Sequence, residues 1–219
     1  MNMKQRLDDL LAAGVKNGHV PGVVAALVDK DGLTYLGSAG ERTIGTGDVM
    51  TTDTVGAIAS MTKAITGAAV MQLVEQGHLD LDAPAETYCA EFASPQVLEG
   101  FDDAGQPILR EARSKITLRN LLTHTSGYAY DFTDQNLAQW YVATNTPGLT
   151  SLSFDSIKTP LMFDPGTKWQ YGLGIDWAGI ILESVTKSRL GDYFNEHLLQ
   201  PLGMVDTSFA CSPDMLERK

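Results

Sequence analysis

The chain has 219 residues, 43% hydrophobic and 20% charged, which is ordinary for a globular protein and excludes disorder, collagen and coiled coil. Its formal net charge of -11 argues against a nucleic-acid partner, because binding phosphates needs Lys and Arg to displace counterions. The sequence holds no apolar run of about eighteen residues, so no membrane-spanning helix is predicted and no membrane partner is expected. Its two cysteines, Cys89 and Cys211, lack CxxC or Cys/His spacing, so neither a disulfide framework nor a metal site is expected, and no cofactor is implied.

In chain order, residues 1–17 read as an amphipathic helix with Leu7, Leu10, Leu11 and Val15 on one face. Asp8 and Asp9 interrupt the continuous apolar block of a secretory signal, so the cytoplasm is the expected compartment. Pro21-Gly22 leads into a strand over 23–28, Asp29-Lys30-Asp31-Gly32 is a turn, and 33–37 is a second strand, together a β-hairpin. Residues 40–54, rich in Gly and Thr, form a loop. A helix runs from Ser60 to near Gly77, with Ile65, Ala68, Ala69, Met71 and Leu73 on its buried face.

Farther on, residues 97–108 suit a small hairpin closed by Asp102-Asp103-Ala104-Gly105, and Thr117 caps a short helix through Leu122. Helices follow over 136–144, 175–187 and 190–200, with a turn at Asp164-Pro165-Gly166 and a short extended segment at 168–171. The fold class is therefore α+β, divided into residues 1–55 (helix and hairpin) and 56–219 (mainly helical). A two-stranded hairpin is marginal by itself. Either helices cover it or further strands belong to a missing piece.

The sequence has no GxSxG elbow, HExxH helix or GxxxxGK[ST] loop, and Gly45-Thr46-Gly47 and Gly172-Leu173-Gly174 lack the third glycine of a dinucleotide turn. Ser60-Met61-Thr62-Lys63 is an SxxK tetrapeptide, whose i, i+3 spacing sets an amine over a hydroxyl on a helix. If Ser60 opens the helix, the dipole and partial burial favour a neutral Lys63, a competent general base. The plainer alternative is a capping serine and a solvated lysine. A second copy, Ser184-Val185-Thr186-Lys187, falls at the end of a predicted helix, where the ammonium meets the negative dipole and the serine bonds back to a carbonyl. Context therefore favours Ser60. Tyr171 ends the extended segment before a helix, and a phenol beside an ammonium is able to relay protons, although a lone tyrosine is also ordinary packing.

These residues, with Leu121-Leu122-Thr123-His124-Thr125-Ser126-Gly127, Pro165-Gly166-Thr167-Lys168-Trp169-Gln170-Tyr171 and Pro201-Leu202-Gly203-Met204, resemble the ordered motifs of the class C β-lactamase superfamily. The closer likeness is to its esterase branch, the family VIII carboxylesterases. The run Tyr171-Gly172-Leu173-Gly174-Ile175-Asp176-Trp177-Ala178-Gly179 is similar to fungal transesterase-like members. The resemblance implies a β-lactamase/penicillin-binding-protein-like fold, with Ser60 as acyl-accepting nucleophile and Lys63 and Tyr171 as acid/base pair. It makes His124 part of a structural turn. Tyr128 and Tyr130 then line the pocket mouth or pack, and Met61 and Trp169 belong to the core. Leu173 stands on the substrate side, where β-lactamases of the superfamily carry an asparagine, which disfavours β-lactam turnover and suits simple esters.

The family's third motif, a Lys/His/Trp-x-Gly strand, has no counterpart, so the chain looks like the first half of an enzyme, completed by further sequence or by a second chain. The expectation is a serine hydrolase acting on small carboxylic esters. A β-lactamase or penicillin-binding peptidase, and an inactive truncated fragment or binding remnant, are the alternatives.

Overall fold

The computed structural model describes residues 2–219; Met1, where the predicted first helix begins, lies outside the described residues. The chain divides into two packed units, one running up to Ile58 and including Asp206–Lys219, the other Ala59–Val205.

In the first unit, helix α1 (Met3–Lys16) starts at Asn2, whose side chain accepts the Gln5 N–H and so satisfies one of the unpaired first-turn donors. Strands β1 (Gly22–Asp29) and β2 (Gly32–Gly40) pair antiparallel from Gly22↔Gly40 to Asp29↔Gly32, with a register shift at Leu27/Val28. Gly32 turns the corner at φ 122°, a conformation only glycine adopts cheaply. The Tyr35 hydroxyl donates to Asp8 at 2.9 Å and so anchors α1 on β2. Among the described residues β1 and β2 pair only with each other, and Val28 and Leu33 remain exposed.

The sequence division groups 206–219 with the helical region, but these residues, including helix α7 (Pro213–Glu217), fall in the same packed unit as the hairpin. Arg218 explains why: it donates to Asp206, Asp214 and the Asp53 carbonyl, and its own carbonyl accepts from Val55. No local pattern announces such a link.

The second unit is built on α5 (Gly174–Thr186), which buries Trp177, Ala178, Ile181 and Leu182 against α2 (Thr62–Glu75) and α3 (Leu118–Leu122). Helix α3 opens with a capping box in which Thr117 and Asn120 satisfy each other's backbone N–H groups. On α2 the buried face is Thr66, Ala69, Val70 and Leu73, while Ala68 and Met71 are exposed; the expected stripe is thus rotated. The small and apolar residues that occupy most of this helix, with few charged ones between, give periodicity little contrast to read. Strands β3 (Gln96–Phe101) and β4 (Pro107–Glu111) form the second hairpin, and α4 (Gln135–Thr144) is capped by Asp134. The predicted helix over 190–200 is α6 (Leu190–Phe194) followed by a wide π-type turn, Asn195–Leu199. Among the described residues no helix is long and apolar enough to cross a membrane.

The segment after Asp164 joins no sheet; residues 168–171 belong to no helix or strand. Gly166 N–H donates to the Thr125 carbonyl and Gln170 N–H to the His124 carbonyl, so the strip lies along the loop after α3. Asp164 anchors its start: Arg110 makes two parallel bonds to the carboxylate, at 2.8 and 2.9 Å, and the Arg113 N–H adds a third. These hold the Asp164 carboxyl well below its usual 3.8, at about 2, chiefly through Arg110. A folded-state value below the unfolded one means the stabilisation is complete above the ordinary carboxylate range and disappears as pH falls towards about 2. Asp164→Asn should therefore lower the melting temperature near neutral pH and flatten its fall through that acid window, as read by circular dichroism melts across pH.

Candidate active site

Ser60 lies in a single 3-10 turn, Ala59–Met61, that runs into α2. Ala59, immediately before it, has φ 44°, a left-handed conformation that costs a non-glycine residue free energy. No side chain caps the first turn of α2. The Ser60 hydroxyl is not a cap; its Oγ is 2.8 Å from the Tyr171 hydroxyl. The exposed serine is thus tied to a residue 111 positions away, at the open positive end of a helix.

Lys63, three residues on, turns its amine towards two aromatic rings, with Nζ 5.1 Å from the Tyr171 centroid and 5.5 Å from that of Tyr130. Burial alone would drive the ammonium towards neutrality, but the Tyr130 and Tyr171 hydroxyls and the Asp176 charge outweigh it, and the Lys63 pKa lies above its usual value. The hydrogen bond shared with Ser60 and the neighbouring Lys63 pull Tyr171 below the usual phenol value, against the opposing effect of burial. The shift expected for Lys63 is downward; here it is upward, and that of the neighbouring Tyr171 phenol is downward.

Tyr130 is buried between Phe132 and Tyr171, with ring centroids 5.0 and 5.3 Å away, and its hydroxyl donates to Asp176 Oδ2 at 3.2 Å. Burial, then Asp176, pushes it up to about 12. Sequence reasoning noticed Tyr130 only as a residue of the pocket mouth and gave Asp176 no role; nothing in their spacing signals that they meet. His124 takes φ 56° just past the end of α3, packs 4.8 Å from the Tyr171 ring and turns Nδ1 towards the Gly172 N–H at 3.5 Å. Burial and the Lys63 charge lower its pKa, so the ring near Tyr171 is neutral at physiological pH.

The other sequence candidates lie elsewhere. Tyr128 stacks on Trp177 in the core, and Leu173 is fully buried; neither side chain is among the groups gathered around Ser60. Met61 and Trp169, expected in the core, are exposed. In the second tetrapeptide, Ser184 donates to the Tyr88 carbonyl rather than back into its own helix, and Lys187 is the exposed carboxyl-terminal cap of α5. A cavity of about 470 Å³ opens beside Lys63 and His124, walled by Gly67, Met71, Leu122 and Ile175. Among the described residues no group of three or more His, Cys, Asp or Glu side chains is placed to hold a metal ion.

Comparison with known proteins adds a lineage. The beta-lactamase family profile matches residues 7–218. The chain is 37% identical to monacolin J acid methylbutanoyltransferase of Aspergillus terreus, over 94% of this chain and 52% of the relative. It is 36% identical to lovastatin esterase of Penicillium rubens, over 93% and 52%. The unliganded structure of simvastatin synthase from Aspergillus terreus superposes with a TM-score of 0.89 at 35% identity, covering all of this chain and 57% of that one. The chain thus spans about half the length of the curated relatives it matches.

Gly172 holds Tyr171 in register, because a Cβ there would collide with the Tyr128 carbonyl oxygen and the Ala129 backbone. Gly172→Ala should destabilise the protein by about 1–3 kcal/mol through overpacking, as urea unfolding would show. Gly148→Ala, at a position with open space around it, should change little.

Proposed function

The chain belongs to the beta-lactamase family, and we propose that it works as a serine hydrolase or acyltransferase of that family's esterase branch, taking small carboxylic esters through an acyl-enzyme. One observation carries the reading: the Ser60 hydroxyl meets the Tyr171 phenol at 2.8 Å, with the Lys63 amine facing the same ring.

In this mechanism Ser60 Oγ attacks the ester carbonyl as its proton passes to the Tyr171 oxygen, whose negative charge the Lys63 ammonium stabilises. The tetrahedral oxyanion accepts the Ser60 backbone N–H at the uncapped start of α2. As the C–O bond to the alcohol breaks, Tyr171 returns the proton to the leaving oxygen. Water or a second alcohol then repeats the sequence against the acyl-serine, giving hydrolysis or acyl transfer.

The names of the relatives, one a methylbutanoyltransferase and one an esterase, support an ester or acyl substrate and keep both outcomes open. Leu173, at the place where β-lactamases of the superfamily carry asparagine, is sealed in the core and speaks against a β-lactam substrate. The exposed Val28 and Leu33 on the two-stranded hairpin suit a reading in which further strands, of the same polypeptide or of a second chain, complete the sheet.

Ser60→Ala should abolish hydrolysis of a short-chain nitrophenyl ester and the mass gain of acylation. Tyr171→Phe should slow it by about 10²–10⁴-fold. Persistent turnover by Ser60→Ala would rule out this nucleophile.

A further inference from the structure

We propose that Asp176 is a positioning residue for the Ser60, Lys63 and Tyr171 group, acting through Tyr130. Its carboxylate takes the hydrogen bond of the Tyr130 hydroxyl, which leaves the phenol oxygen to accept from the Lys63 amine. The inference rests on the reading just given and deepens it.

The plain role of Asp176 is that of an acid in the first turn of α5, favoured by the helix dipole. That role needs no particular partner. Here Oδ2 instead accepts a hydroxyl from a residue 46 positions earlier in the chain, at 3.2 Å. A phenol has one proton to give, and an ammonium has only donors. Once the Tyr130 proton points to Asp176, its oxygen is left as an acceptor for Lys63, whose Nζ lies 5.5 Å from the Tyr130 ring centroid and 5.1 Å from that of Tyr171. Tyr130 is buried and keeps its proton up to about 12, so the orientation survives across the working range of pH.

The groups that act on Lys63 and Tyr171 come from several elements: Ser60 from the turn before α2, His124 from beyond α3, Tyr130 from the following loop and Asp176 from α5. Asp176 is the one carboxylate among them. Its charge raises the proton affinity of Lys63 and Tyr171 together, which makes the phenol a stronger base once ionised while the amine stays charged. The side chain is exposed, so water and salt screen the effect and keep it modest.

Asp176→Asn retains shape and an acceptor oxygen but removes the charge. Its kcat/KM profile should keep its form, with the acid limb moved to lower pH by up to about one unit. The plateau kcat should fall about 3–10-fold because the base is weaker, and KM should be little changed. The shift should diminish at high salt. In a Tyr130→Phe background, which keeps the ring packing, the effect of Asp176→Asn should be smaller than in the parent. The rate at which a nitrophenyl phosphonate modifies Ser60, followed by intact mass across pH, reads the same proton loss without turnover.

An acid limb that stays in place in Asp176→Asn, with activity falling only in proportion to lost stability, would overturn the proposal and leave Asp176 as a helix-start residue. Effects that simply add in the double variant would overturn the route through Tyr130. If Asp176→Asn does not fold, Asp176→Ser, which also removes the charge and keeps an acceptor oxygen, carries the same profile test. Failure of the underlying reading is distinguishable, because it shows as Ser60→Ala retaining activity or as phosphonate leaving Ser60 unmodified.

Discussion

A hydroxyl at the start of one helix and a phenol just before another lie 2.8 Å apart across 111 residues of chain, and several elements of the second unit hold them there. Ser60 is placed by the left-handed Ala59 and the uncapped first turn of α2. Tyr171 is placed from the other side: Asp164 clamps the start of its strip to Arg110, Gly166 and Gln170 tie it to the loop after α3, and Gly172 lets the backbone press against Tyr128 and Ala129.

The electrostatics follow from this placement. A lysine set among phenol oxygens and near a carboxylate keeps its proton in spite of burial, and the phenol beside it is the group poised to release one. Burial works the other way on Tyr130 and Tyr128: at Tyr130 burial and the Asp176 charge outweigh the Lys63 amine, and Tyr128 is sealed in the core. Three tyrosines within one stretch of fold thus have different acidities because their surroundings differ, not their chemistry.

The two units contrast in how they are held. The helical one has a continuous core around Trp177, Ile181 and Leu182, whereas the hairpin unit rests on Tyr35 and Asp8, on Arg218 and its acidic partners, and leaves apolar strand positions open. A sheet of two strands is marginal by itself, and the chain spans about half the length of the curated relatives it matches.

By itself the sequence determined the elements whose signals are local: both hairpins with their turn residues, the Thr117 cap, the helices around 136–144 and 175–187, and the SxxK and Pro-Gly-Thr-Lys-Trp-Gln-Tyr motifs that pointed to Ser60, Lys63 and Tyr171. It misjudged residues whose environment is set at a distance. Tyr128 and Leu173 are core because Trp177 and α3 pack over them, and Met61 and Trp169 are exposed although apolar. Only the tertiary structure decided which tyrosine faces the lysine, that the lysine keeps its charge, and that Asp176 reaches Tyr130. Local propensity and periodicity act over a few residues, whereas the proton balance of a buried amine depends on oxygens brought to it from remote parts of the chain.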